Sequence, residues 1–335
     1  MKRLSSILIG LIVASLVVGV GGYYWYIQQQ AQKYTGPVTE IILAAYAGEA
    51  GALVYVAEYQ GYFEQNGLDV TIKGYQSGKA AADALMAGEA DISTSADFVF
   101  VTQSFYHSDL RVLGTVSTAE VKELVARKDK GIMTTDDLIG KKIGVTKNSG
   151  AHFQLGVFLT LNGISQEDIE LVDLAPSDIV AAITTGDIDA AFTWDPNVRD
   201  IKKELGPNAI SWPGGHDLYF VLLAKEDWVE NNPGAAERFM KSVLEAEDYV
   251  RENSEESKEF VQDRFDYESD YMDYSWPNQE FDIILSQAML ILFEDQARWS
   301  ISNNLTEATE VPNYLDYIYS DALEAVKPGA VTIIG

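Results

Sequence analysis

The sequence predicts an α/β protein of two similar lobes that face each other, and three observations carry that expectation. First, residues 81–97 align without a gap on residues 179–195, with Gly88 on Gly186, Asp91 on Asp189 and Asp97 on Asp195. Second, each copy reads as a helix, a turn and a short small-residue strand, with Gly88 or Gly186 as the left-handed end of the helix. That is half of a βαβ unit. Third, each strand stops at a polar edge, Ser95-Ala96-Asp97 or Trp194-Asp195-Pro196, with a new helix after it. Pro196 suits a first helical position. Open α/β sheets bind ligands outside the carboxyl ends of their strands, so two such edges imply two lobes with a site between them.

Composition narrows the function. With 335 residues, 47% of them hydrophobic and 22% charged, the chain is globular and long enough for two cores. A formal net charge of −27 excludes a nucleic-acid partner, because nothing here neutralises a row of phosphates. Cysteine is absent, which removes disulfides, thiolate metal sites, a cysteine nucleophile and a lipid anchor on an N-terminal cysteine. His107, His152 and His216 are scattered and lack the i, i+4 metal spacing. No Gly-x-Ser-x-Gly elbow surrounds Ser149. Neither a catalytic residue, a metal nor a cofactor is expected.

The chain opens on Lys2 and Arg3 and then an apolar run from Leu4 to about Ile27, closed by Tyr23, Tyr24, Trp25 and Tyr26. That length spans a bilayer, and the aromatic closure resembles an interfacial belt. Residues 1–30 are expected to be a retained membrane anchor, with a cleaved signal segment as the alternative. Either way residues after 30 lie outside the cell. A polar linker, 31–37, follows. Strands are then expected at 38–45, 69–73, 111–117, 121–127, 143–146, 169–173 and 219–225. Helices are expected at 52–60, from Gly78, at 96–106, 151–161, from Ser177, at 233–261, 281–299 and 311–325. The break near Thr118-Ala119-Glu120 and the apolar strand 219–225 are the two crossings between lobes. Lobe 1 thus comprises 38–117 and 221–335, and lobe 2 comprises 118–220.

Gly61-Tyr62-Phe63-Glu64-Gln65-Asn66-Gly67-Leu68-Asp69-Val70 resembles a segment of substrate-binding proteins of the nitrate/sulfonate/taurine group of ABC importers. So do Ala87-Gly88-Glu89-Ala90-Asp91-Ile92, Asp137–Val145, Gly186–Ala191 and Trp194-Asp195-Pro196. Together the motifs run from about residue 40 to 325. The resemblance implies a periplasmic-binding-protein type II fold, two α/β lobes joined by two crossovers that close on a ligand. It places the ligand between carboxyl-end loops: Tyr46, Ala47, Gly48, Ser95 and Ala96 in the first lobe, and Asn148, Ser149, Gly150, His152, Trp194, Asp195 and His216 in the second. Ser95 and Ser149 precede helices, where a hydroxyl and free amides favour an anion.

Asp195 departs from an anion site, since a carboxylate at the cleft edge repels a bare anion and pairs with an ammonium group. Two unit charges about 4 Å apart at a surface-like dielectric interact by about 4 kcal/mol before desolvation. The ligand expected is therefore a sulfonate or a taurine-like amino-sulfonate, handed to ABC permease and ATPase subunits. Nitrate, bicarbonate, a quaternary amine or a pyrimidine are alternatives for the same role. An enzyme on the same fold and a sensor ectodomain are the alternatives outside it.

Overall fold

The computed structural model describes residues 34–119, 122–214 and 218–334. The N-terminal anchor and His216 lie outside the described residues. Among those described, no helix is long and apolar enough to cross a membrane.

Among the described residues, eleven strands form two sheets. They are β1 (Thr39–Tyr46), β2 (Leu68–Tyr75), β3 (Ile92–Ala96), β4 (Leu110–Ala119), β5 (Lys122–Arg127), β6 (Lys142–Val145), β7 (Glu170–Asp173), β8 (Ala190–Trp194), β9 (Ala209–Pro213), β10 (Leu218–Lys225) and β11 (Gln279–Glu280). The main helices are α1 (Ala52–Tyr59), α2 (Gly78–Met86), α3 (Asp97–Ser104), α4 (Gly150–Leu161), α5 (Pro176–Thr185), α6 (Asn197–Leu205), α7 (Pro233–Glu252), α8 (Ser254–Phe265), α9 (Ser269–Ser275) and α10 (Gln287–Ser302).

The first sheet has the order β11-β4-β10-β3-β1-β2 and the second β7-β6-β8-β5-β9. Strands β3, β1 and β2 run parallel, and β10 joins them antiparallel. The second sheet repeats this pattern: β8, β6 and β7 are parallel and β5 joins antiparallel. Strands β10 and β5 each follow a passage from the other sheet. Residues 118–119 and 218–220, expected in lobe 2, belong to strands of the first sheet. Buried clusters fill the space around each sheet, centred on Leu43, Val112, Leu222 and Phe239 in the first, and on Leu124, Ile143, Phe192 and Ile183 in the second.

The sequence repeat is a structural one. Gly88 and Gly186 both have positive φ, at 74° and 88°, and both follow their helices. Asp91 accepts the backbone N–H of Ile42 at 2.8 Å, while its own N–H donates to Ile42 O at 2.8 Å. Asp189 does the same with Lys142, at 3.0 and 2.8 Å. Each aspartate therefore ties the start of its repeat strand to the neighbouring parallel strand, which fixes where the carboxyl ends of those strands fall.

Three expected helices differ. The one expected over 233–261 is broken at Asn253, whose backbone is not helical, into α7 and α8. The helix expected over 281–299 begins at Gln287. Residues before it stay extended because Ile284 exchanges hydrogen bonds with Thr115, at 3.0 Å each way, and Leu285 N donates to Ala330 O. The stretch 311–325 holds only a short turn, Tyr314–Tyr317, and the helix Asp321–Val326. Tyr314 and Tyr317 are drawn onto Phe100, and Tyr319 N donates to Val112 O at 3.0 Å, so the chain lies along β4 instead of coiling.

Asp91→Ala and Asp189→Ala should each lower unfolding free energy by a similar amount, about 1 kcal/mol, the usual net worth of a hydrogen bond. Urea unfolding of the two variants checks this. A loss confined to one variant would show that the two aspartates are not equivalent.

Candidate functional site

A cavity lies where the carboxyl ends of both sheets meet. Tyr46, Glu49, Ala50, Ala96, Val99 and Phe220 line it from the first lobe, together with Ser77, Gly78 and Lys79 at the start of α2. Lys122, Ser149, Gly150, Ala151 and Trp194 line it from the second. The centre of a water-sized sphere can reach about 50 Å³ of it. One water needs roughly 10–15 Å³ on this measure, so the space suits a small solute.

Two helix starts meet there, one from each lobe. Ser149 caps α4, its Oγ accepting from Ala151 N at 3.2 Å and donating to Thr146 O at 2.7 Å. Ser77 caps α2 in the same way, accepting from Ala80 N at 3.1 Å. Gly78 is needed beside it, because a Cβ would fall 2.9 Å from Ala96 N and 3.1 Å from Ser95 Cα. The α2 start is not among the site residues expected from the sequence, although Ser77-Gly78 ahead of an Ala-rich run is a usable capping signal.

The cavity lining also includes an acidic residue. Glu49 is buried and accepts from Tyr271 Oη at 2.6 Å, Ser275 Oγ at 3.2 Å and Tyr267 Oη at 3.3 Å. Burial raises its pKa, and the three hydroxyls pull it partly back. Burial also raises the Tyr46 phenol, against the pull of the Trp194 side chain across the cleft. Tyr46 and Trp194 line both this inner cavity and an outer groove lined by Ala47, Gln76, Ser177, Asn197 and Tyr267.

Of the residues expected from sequence, Tyr46, Ala96, Ser149, Gly150 and Trp194 line the cavity, and Ala47 lines the outer groove. His216 lies outside the described residues, and the others are placed elsewhere. Ser95 is fully buried and donates to Gly78 O at 3.1 Å, and Ala96 is the cap position of α3. Gly48 is buried beneath the Tyr46 ring. Asn148 is exposed, in the left-handed conformation at φ 56°. His152 is buried, accepts from Asn148 N at 3.3 Å and packs edge-on against Trp299. Burial pushes its pKa down to about 4.

Asp195 is buried beside the cavity without lining it. Its Oδ1 accepts from Arg199 N at 3.3 Å in the first turn of α6, and Pro196 takes the cap position there, not the first helical one. The carboxylate that faces the cavity is Glu49. Burial, and then the charge of Glu49, raise the Asp195 pKa to about 6. Its repeat partner Asp97 is raised to the same value by burial, against the pull of Lys122 and of the Tyr219 and Phe98 amides.

The NMT1/THI5-like family profile matches residues 50–257, well over half of the chain. The chain belongs to this family. It is 28% identical to the taurine-binding periplasmic protein of Escherichia coli K12 over 189 residues, 56% of this chain and 59% of that one. In structure it is similar to the alkanesulfonate-binding protein SsuA from Xanthomonas axonopodis pv. citri bound to MOPS, with a TM-score of 0.74 and 18% identity, covering 85% of this chain and 100% of that one. The desulfurization enzyme DSZB is also similar, with a TM-score of 0.63 and 15% identity, covering 87% and 99%. The family member described here therefore has the two-sheet periplasmic-binding-protein fold.

Asp195→Asn tests the electrostatics. The folded pKa of about 6 lies above the ordinary value of about 3.9. The ionised carboxylate thus lowers stability above pH 6, and the loss is recovered as pH falls through 6 towards 4. A two-unit shift is worth about 3 kcal/mol at most. The variant should melt a few degrees above wild type at pH 7.5, and the gap should close by pH 4. A variant that melts lower at pH 7.5 would show that the Asp195 contact with Arg199 outweighs its burial.

Proposed function

We infer that this protein is the extracytoplasmic solute-binding component of an ABC importer and that its solute is a small amino-sulfonate of the taurine type. The observation that carries the reading is a small cavity lined both by two helix starts and by the buried carboxylate of Glu49. Free amides at helix starts favour a sulfonate, which is a permanent anion. Glu49, with Tyr46, Trp194 and Phe220 around the same space, favours an ammonium group through charge and aromatic faces. The E. coli taurine-binding relative supports this class.

The ammonium pairing expected of Asp195 passes to Glu49, and Asp195 acts on it through charge. In this reading the two lobes close on the solute by a hinge at the two crossings and present it to the permease. The segment 1–30 holds the chain to the outer face of the membrane. Binding is preferred over catalysis because the sequence relatives bear the names of binding proteins.

Calorimetry with taurine and ethanesulfonate tests the assignment. Glu49→Gln should weaken taurine by about 1.5–3 kcal/mol, the range for a charge-assisted hydrogen bond, and leave ethanesulfonate nearly unchanged. Equal losses for both would mean that Glu49 only braces the loop after β1.

A further inference from the structure

We propose that Lys122 is the residue that selects the anionic group of the solute, its ammonium completing the pole formed by the starts of α2 and α4. This rests on the solute-binding reading and names the cation within it. Lys122 is the first residue of β5, pairs in register with Trp194 on β8, and lines the cavity. It is only 5% exposed, and among the described residues its Nζ has no hydrogen-bond partner. A buried ammonium left in that state costs several kcal/mol, so the site is incomplete without an anion.

The neighbouring charges point the same way. Asp97 is the counter-charge that acts on Lys122, but its carboxylate already accepts from Phe98 N at 2.6 Å and Tyr219 N at 3.1 Å. Lys79, the other cationic residue on the wall, pairs with Asp83 at 2.6 Å. Burial lowers the Lys122 pKa to about 8, against the pull of Asp97, so the ammonium is still charged at neutral pH. Lys122 also stands directly after the passage from β4, so an anion bound to it touches both lobes at their junction.

The test is Lys122→Met, which keeps the length of the side chain and removes the charge. Thermal shift and calorimetry are run on both proteins with taurine, ethanesulfonate, nitrate, bicarbonate, acetate and ethylammonium. Removing one partner of a buried charge pair weakens binding by about 30-fold or more. Taurine and ethanesulfonate should lose that much in the variant, while any response to ethylammonium is kept and the ligand-free variant melts no lower than wild type.

Sulfonate affinities within threefold of wild type would overturn the role of Lys122 and leave the sulfonate reading in place. Lys122-dependent binding of nitrate, bicarbonate or acetate, with no response to sulfonates, would uphold Lys122 and overturn the sulfonate reading. A wild-type protein that responds to no anion in the panel would overturn both.

Discussion

Glu49, Asp97, Lys122 and Asp195 are all buried where the two sheets meet. Charges taken out of water must be repaid by partners, and much of the surrounding structure exists to supply them. Three hydroxyls from a segment more than 200 residues away hold Glu49. Two backbone amides hold Asp97, one of them from β10 on the returning strand. The fold thus gathers its buried charges at a place where both lobes meet.

Contacts across the cleft away from the cavity are of two kinds. Behind it, Phe98 on α3, Phe153 on α4 and Trp299 on α10 form a mutual aromatic cluster. At the mouth, Arg199 on α6 pairs with Asp270 at 2.6 Å and lies over the Tyr271 ring, and Lys203 stands 3.8 Å from Glu268. Exposed ion pairs of this type contribute at most about 1 kcal/mol. The rear is therefore the firm part and the mouth the weak part. Tyr271 joins the two scales, because its hydroxyl binds Glu49 while its ring faces Arg199.

The parts legible in the sequence were those set by local rules. Gly88, Gly186, Asp91 and Asp189 could be matched because a left-handed turn and a strand tie need those residue types at fixed spacing. Tyr46, Ser149 and Trp194 could be placed because strand ends face the cleft. Glu49 was passed over because its three partners come from α9 and the loop before it, which no spacing near Glu49 reveals. Lys122 was passed over because a lysine at the start of a strand usually reaches water. Serine alone misled at Ser95, where the tight approach of Gly78 consumes the hydroxyl. The Tyr-rich stretch 311–325 has helical periodicity, but pairing with β4 overrides it.

The order of the strands also sets an order of assembly during synthesis. The second sheet is complete once Pro213 has emerged, since all five of its strands lie between Lys122 and that residue. The first sheet begins earlier in the chain but stays open, because β10 lies between β3 and β4 and does not exist until residue 225. Domains fold as units as the chain appears. The sheet that begins later in sequence is thus the first to have all its strands synthesised.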